Sequence, residues 1–371
     1  MDFPRILKKR KGYIERIKPF MRKSVAKVLT GQRRVGKSFL LYQLIEEILG
    51  EEPNANIIYI NLEDFEFSSL QTAQDLHSYI ISQSQKKDKN YIFIDEIQDI
   101  PGFEKVIRSL LLNEDNDIYI TGSNANMLSG ELATYLSGRY IEFKIYSLSY
   151  LEFLDETVNE YLKSIYSTIV FRDVVSRYKL RNTLFLEKLI QFLSENIGNL
   201  FSAKNISDYL KSQHATVSVN QIQNYTEYLS NAFLIHRVER YDLIGKRVFE
   251  IGEKYYFENM GIRNIVIGYR ITDKAKILEN LVYNHLLYRG YEVKVGYYGD
   301  KEIDFIGEKN GEKLYIQVSL KIDSEKTAER EFGNLLKIQD NYPKMVITED
   351  NFNGNSYEGI RHCSIRQFLM E

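Results

Sequence analysis

The chain of 371 residues has a single cysteine, Cys363, which excludes an internal disulfide and any zinc site built from cysteine thiolates. Its five histidines (His77, His214, His236, His285, His362) are scattered, and none pairs at metal-ligand spacing. No apolar run approaches the ~20 residues that span a bilayer. The basic stretch Lys8, Lys9, Arg10 and Lys11 has no apolar core behind it, so export is not expected and a cytoplasmic location is. There is no repeat and no low-complexity tract. A strong overall charge is missing too: the formal net charge is −2, which points to no polyanion partner for the molecule as a whole.

What is present is an ordinary globular composition, 44% hydrophobic and 27% charged, in a chain long enough for two or three domains. Charge is uneven along it. Residues 1–40 carry thirteen Lys and Arg against Asp2 and Glu15. Two readings stay open for that segment: contact with nucleic acid, or a solvated lead-in whose last cations face nucleotide phosphates.

Residues 1–145 alternate short apolar runs with helical stretches, the pattern of a parallel sheet covered on both faces. Expected strands are Val25–Thr30, Ile57–Asn61, Tyr91–Ile94 and Ile118–Thr121; a helix is expected over Phe39–Leu49, ended by Gly50. Residues 146–183 read as a helical connector. In 184–245, Ser202 and Ser218 each precede a helical stretch and Phe233–Val238 reads as a strand, the outline of a winged helix. Residues 246–371 begin with a helix near Leu278–Tyr288. Strands follow at Tyr291–Val295, Glu302–Ile306 and Leu314–Leu320, with Asn310-Gly311 marking a tight hairpin.

Chemistry concentrates in three places. Gly31-Gln32-Arg33-Arg34-Val35-Gly36-Lys37-Ser38 matches the phosphate-binding loop between a strand and a helix, with Phe39 opening the helix. Its glycines let backbone N–H groups face phosphate oxygens, Lys37 reaches toward the terminal phosphates, and Ser38 ligates Mg²⁺. Four apolar residues then deliver Asp95 and Glu96 to a strand end, Asp95 for the metal shell and Glu96 as general base toward water. The intervening β-unit and the lack of an Asn-Lys-x-Asp guanine reader favour ATP over GTP. At the end of the strand Ile118–Thr121, Ser123 or Asn124 is placed to sense a γ-phosphate. Arg139 is a candidate to neutralise transition-state charge, in its own subunit or a neighbour's, which leaves a homo-oligomer open.

With these residues in view, the chain resembles AAA-type ATPases whose C-terminal region is a domain of unknown function similar to restriction-endonuclease folds. The resemblance rests on LTGQRRVGKSFLL (29–41), YIFIDEIQDI (91–100), ITGSNANMLSGELATYLSGRY (120–140) and SLSYLEFL (147–154). It continues through KYYFENMGIRN (254–264), Leu278-Glu279-Asn280, KEIDFIGEKNGEKLYIQVSL (301–320) and REFGNLLKI (330–338). It implies an α/β P-loop NTPase core followed by a winged helix and an α/β nuclease-like domain. By that likeness, Glu279, Asp304 and Gln317 fall at the positions of a nuclease metal site. Gln317 offers only a neutral carbonyl, and Ser319 stands where a lysine is required, so a degenerate site is expected and cleavage is not. Lys321 or Lys301 are the candidates to replace that lysine.

The second winged-helix stretch offers Asn220, Gln221, Gln223, Asn224 and Tyr225 to base edges, yet carries Glu227 and no Lys or Arg. Two functional classes therefore remain at this point. One is a Mg²⁺-dependent ATPase associated with DNA or RNA; the other is an ATP-controlled switch that binds a protein partner.

Overall fold

The computed structural model describes residues 9–85, 89–123, 136, 138–147, 159–212, 217–245, 247–248, 252–299, 301–322, 324–349 and 356–371. Two compact units divide the chain. The first comprises Met1–Ser147 with Asn231–Phe233, the second Leu148–Ser230 with Leu234–Glu371.

In the first unit, strands β1 (Ala26–Thr30), β2 (Asn56–Asn61), β3 (Asn90–Asp95), β4 (Asn116–Gly122) and β5 (Tyr140–Lys144) form one sheet in the order β2-β3-β4-β1-β5. Every pairing in it is parallel. Alternate residues explain why: Ala26, Val28, Ile58, Ile60, Ile92, Ile94, Ile118 and Ile120 are buried on one face. They pack there with Leu76 and Ile80 of the helix Ala73–Gln83 and with Phe103, Val106, Ile107 and Leu110 of the helix Phe103–Leu110. Residues of the opposite register, Tyr91, Phe93 and Tyr119, are equally buried, so the runs are apolar throughout rather than alternating. Lys27 also lies in this second layer, paired with Asp117 and set over the Tyr119 ring at 4.5 Å. The helix after the phosphate loop runs Lys37–Glu51, through Gly50 rather than stopping at it. Leu40, Leu41, Leu44, Ile45 and Ile48 anchor it, and their burial outweighs the ~1 kcal/mol that a helical glycine costs.

The second unit starts with the helix Asn159–Thr168, which widens into a π-helical stretch over Ile169–Ser176. Helices Thr183–Glu195, Ala203–Ser212 and Val219–Asn231 follow. Ser202 Oγ accepts from Asn205 N and Ser218 Oγ from Gln221 N, as N-cap residues do. Strands β6 (Leu200–Phe201), β7 (Ile235–Val238), β8 (Arg240–Asp242), β9 (Arg247–Val248) and β10 (Glu253–Phe257) come next in number. Of these, β6, β10 and β7 form an antiparallel sheet in that order.

Beyond the helices Met260–Ile267 and Lys274–Tyr288 lie β11 (Glu292–Tyr298), β12 (Lys301–Lys309), β13 (Glu312–Ser319), β14 (Lys344–Thr348), β15 (Ser356–Tyr357) and β16 (Ile360–Ser364). They join β8 and β9 in an eight-stranded mixed sheet, ordered β15-β16-β14-β13-β12-β11-β8-β9. Asn310 and Gly311, at φ 52° and 82°, make the β12–β13 hairpin turn. Val282, Tyr283 and Leu286 cover one face of this sheet; Phe332 and Leu335, from the helix Glu325–Leu336, cover the other. A boundary at residue 245 does not describe this unit. β10 lies beyond it and completes the sheet of β6 and β7, while β8 lies before it and extends the sheet of β11.

Candidate functional site

The phosphate loop leaves β1 at Thr30 and closes against the exit of β5. A Cβ on Gly31 would stand 2.0 Å from Ile145 O, so only glycine permits this approach. Gly36 (φ 89°) and Arg34 (φ 64°) turn the loop with left-handed backbone. Lys37 is buried and donates from Nζ to Gly31 O and Gln32 O, both at 3.1 Å, with Glu96 Oε1 at 3.5 Å. Val35 and Gln32 are buried, Ser38 is half-buried, and Phe39 is 40% exposed with its ring edge-on to Tyr42. Arg33 is buried and pairs with Glu63 at 2.6 Å.

The ends of β3 and β4 complete the site, because β4 lies between β3 and β1 in the sheet. Asp95 accepts from Thr121 Oγ1 and from the Ser38 hydroxyl. Burial pushes its carboxyl above the usual aspartate range, and Glu96 adds to this, against the two hydroxyls and Lys37. The adjacent Glu96 goes the other way. Burial raises it, but Lys37 and Arg33 outweigh burial and hold it below its ordinary value. Its backbone sits at φ 56°, uncommon for a non-glycine, and Thr121 Oγ1 accepts from its N–H. Gln98 Nε2 donates to Glu96 Oε2 at 2.6 Å. Ser123 Oγ is buried against this carboxylate, whose charged form it favours, and has no partner in strict hydrogen-bonding geometry among the described residues. A glycine cradle, a buried lysine held by carbonyls, paired hard oxygen donors and an orphaned hydroxyl fit a nucleotide phosphate chain with a divalent cation.

Residues 23–154 match the AAA domain family, and residues 139–273 match a domain of unknown function. An uncharacterized protein of Haemophilus influenzae is 37% identical over 396 residues, covering 98% of this chain and 98% of that one. The chain belongs to the same family. An uncharacterized protein of Methanocaldococcus jannaschii is 30% identical over 352 residues, 82% of this chain and 76% of that one. Among solved structures, the Walker-type ATPase paby2304 of Pyrococcus abyssi is similar over 68% of this chain and 93% of that chain, at 13% identity and a TM-score of 0.44.

Not every expected residue of the AAA domain reaches its site. Arg139 is exposed, and its carbonyl accepts from Ala26 N at the start of β1. The phosphate loop leaves the other end of that five-residue strand, about 16 Å away at the usual rise. Arg139 therefore cannot serve the loop of its own chain in this arrangement, because parallel β1 and β5 put its strand entry where the loop is not. Asn124 lies outside the described residues.

Part of the basic lead-in is consumed within the unit, while Lys9, Lys11, Lys23 and Arg34 are exposed. Lys18 pairs with Glu47 and Glu51, Arg22 with Glu51 and Glu52, and Lys27 with Asp117. Arg10 was not expected at the site. It is 3% exposed and lies over the Tyr13 ring at 4.5 Å. Its Nη1 donates to Val35 O at 2.9 Å and its Nη2 to Tyr146 O at 3.0 Å. In a trans peptide the C=O and the next N–H point opposite ways. Holding Val35 O on the Arg10 side thus turns Gly36 N–H to the other side. No local motif marks this arginine; only the fold reveals it.

In the second unit the structure does gather the expected carboxylates, around a lysine that sequence reasoning missed. Lys254 Nζ lies 2.9 Å from Glu279 Oε1 and 2.8 Å from Glu302 Oε1. Tyr256 OH donates to the same Glu279 oxygen at 2.5 Å. Asp304 accepts from Val318 N at 2.8 Å, and its own N–H reaches Gln317 Oε1 at 3.4 Å. A bulge in β12 opposite Val295 sets Asp304 here, with Ile303 paired to Gly296 and Ile306 to Lys294. Burial, then the Glu279 charge, pushes Asp304 well above the usual aspartate range, against Lys254. Lys301 lines the adjoining cleft of about 630 Å³ together with Lys326 and Arg330. The ammonium that joins Glu279 and Glu302 is that of Lys254.

Of the residues read as base contacts, Tyr225 is 6% exposed and packs on Phe185 at 5.0 Å. It belongs to the core, whereas Asn220, Gln223 and Asn224 are exposed.

Proposed function

We propose that this protein binds and hydrolyses ATP with Mg²⁺ through its AAA domain. The observation that carries this reading is the buried Lys37 within reach of both the loop carbonyls and an ionised Glu96. On binding, the Lys37 ammonium exchanges the carbonyls of Gly31 and Gln32 for phosphate oxygens, and backbone N–H groups of 31–38 bind the rest. Ser38 and Asp95 would hold Mg²⁺, which supplies charge neutralisation between the phosphates when bound. Glu96, kept ionised by Lys37 and Arg33, takes the proton of the attacking water. Ser123 donates its unused hydroxyl to the terminal phosphate. Arg10 keeps the Val35–Gly36 peptide facing inward throughout. Calorimetric titration with ATP and GTP, with and without Mg²⁺, tests the reading. ATP binding that Lys37→Ala weakens roughly 10- to 100-fold supports it, since a charged hydrogen bond contributes about 1.5–3 kcal/mol. Wild-type protein that binds neither nucleotide contradicts it.

For the process served, the switch reading gains on the nucleic-acid reading, because the helix Val219–Asn231 carries no cation and Lys18, Arg22 and Lys27 of the basic lead-in are spent on internal pairs. The nucleic-acid reading takes residues 184–245 as a winged helix, supported by their helix, helix and strand order. ATP turnover that rises with duplex DNA and falls steeply with salt would favour it; turnover indifferent to DNA favours the switch. If Arg139 acts, it acts on a neighbouring copy, and turnover per chain then rises with protein concentration.

A further inference from the structure

We infer that Lys254 occupies the electrostatic place of a divalent cation in the C-terminal carboxylate cluster, so that this cluster is a metal-free clasp and not a metal site. Three elements meet there. Lys254 comes from β10 of the three-stranded sheet, Glu279 from the helix Lys274–Tyr288, and Glu302 from β12 of the eight-stranded sheet. The ammonium bonds both glutamates at 2.9 and 2.8 Å. A metal ion would need those same oxygens.

Other oxygens of the cluster also carry protein hydrogen bonds. Glu279 Oε1 also accepts from Tyr256 OH, Asp304 Oδ2 accepts from Val318 N, and Gln317 Oε1 faces Asp304 N. Magnesium demands a nearly regular octahedron of hard oxygens. Here it would meet a neutral amide and carboxylates already bonded to protein donors, beside a fixed like charge. Among the described residues no group of three or more His, Cys, Asp or Glu stands ready to hold a metal ion. Lys254 is also held in place, its side chain 4% exposed and its strand tied to the helix by Asn280, which bonds Phe257 N and O at 2.8 Å each. An ammonium in this position does what a structural cation does: it joins carboxylates from separate elements. It offers no open coordination position for a water, so hydrolytic chemistry has no place to start.

The test counts Mn²⁺ bound to the full-length protein by electron paramagnetic resonance, without nucleotide. Five forms are compared: wild type, Asp304→Asn, Lys254→Met, Lys254→Arg and the Lys254→Met/Asp304→Asn double variant. The inference predicts equal Mn²⁺ binding by wild type and Asp304→Asn, any ion at the AAA domain being common to both. It predicts one further equivalent in Lys254→Met, lost again in the double variant, and none gained in Lys254→Arg, which keeps the charge. An equivalent lost from wild type on Asp304→Asn overturns it, as does a Lys254→Met protein that folds and gains nothing. If Lys254→Met fails to fold, wild type against Asp304→Asn decides alone: equality supports the clasp, and loss of an ion refutes it.

Discussion

Two lysines each stand among carboxylates, one in each unit, and they differ in what else holds them. Lys37 sits on a glycine-turned loop, bonds two carbonyls and lies 3.5 Å from a single carboxylate. Near it Ser123 Oγ has no partner in strict hydrogen-bonding geometry among the described residues, and Glu96 holds an unfavourable backbone angle. Lys254 sits within a strand, bonds two glutamates at 2.9 and 2.8 Å, and every neighbouring acid has a protein donor. The first arrangement has bonds to exchange with a ligand, whereas the second has already made them. Charge type alone does not mark a site; unspent hydrogen-bonding capacity and backbone strain do.

The contrast is broken most forcefully at Lys254. Lys254→Met leaves Glu279 and Glu302 facing each other without a cation, and breaking such a pair costs about 3–5 kcal/mol when buried. Glu302 is 32% exposed, so about 3 kcal/mol is expected. Denaturant titration reads it as a lowered midpoint at constant slope.

Asp95→Asn should move stability and activity in opposite directions. Burial raises the Asp95 carboxyl, so its ionised form is a liability without a bound cation. The folded state then binds this proton more tightly than the unfolded one, and this contribution improves as pH falls through the raised value. The asparagine variant is therefore expected to be more stable at neutral pH without nucleotide, with the gain shrinking on acidification, while Mg²⁺-dependent turnover is lost. Thermal scans at several pH values check the first part, and a loss of stability at neutral pH would contradict it.

The smallest effect is expected at Arg10. Arg10→Ala frees Val35 O and should weaken ATP binding roughly tenfold, about 1.4 kcal/mol, by loosening the Val35–Gly36 peptide. The turnover rate at saturating ATP should change less, since Glu96 is untouched. Equal losses in both would assign Arg10 a general structural role instead.

The sequence made the first unit legible for local reasons. Phosphate loops and buried parallel strands are written in consecutive residues, and 31–38 and 91–96 met as their spacing predicts. Gly50 misled, because helix propensity is weaker than five buried leucines and isoleucines. Closeness along the chain to a sensor strand does not say which end of the sheet Arg139 enters, so only its action on a neighbouring copy stays open. The partners of Arg10 lie 25 and 136 residues away, and those of Lys254 lie 25 and 48 residues away, so neither lysine nor arginine carries a motif. The inner strands β14 and β16 were missed as short segments, one directly after Pro343, whose pairing is decided entirely by tertiary neighbours.

ATP turnover by wild type and Glu96→Gln, measured with Mg²⁺ at saturating nucleotide, tests the central claim most directly. The account predicts hydrolysis by the wild type and a fall of about 10²–10⁴ in the variant, with ATP binding retained, as loss of a general base requires. A wild type that binds ATP without hydrolysing it, or a variant that hydrolyses as fast, would contradict the assignment of this site as a catalyst.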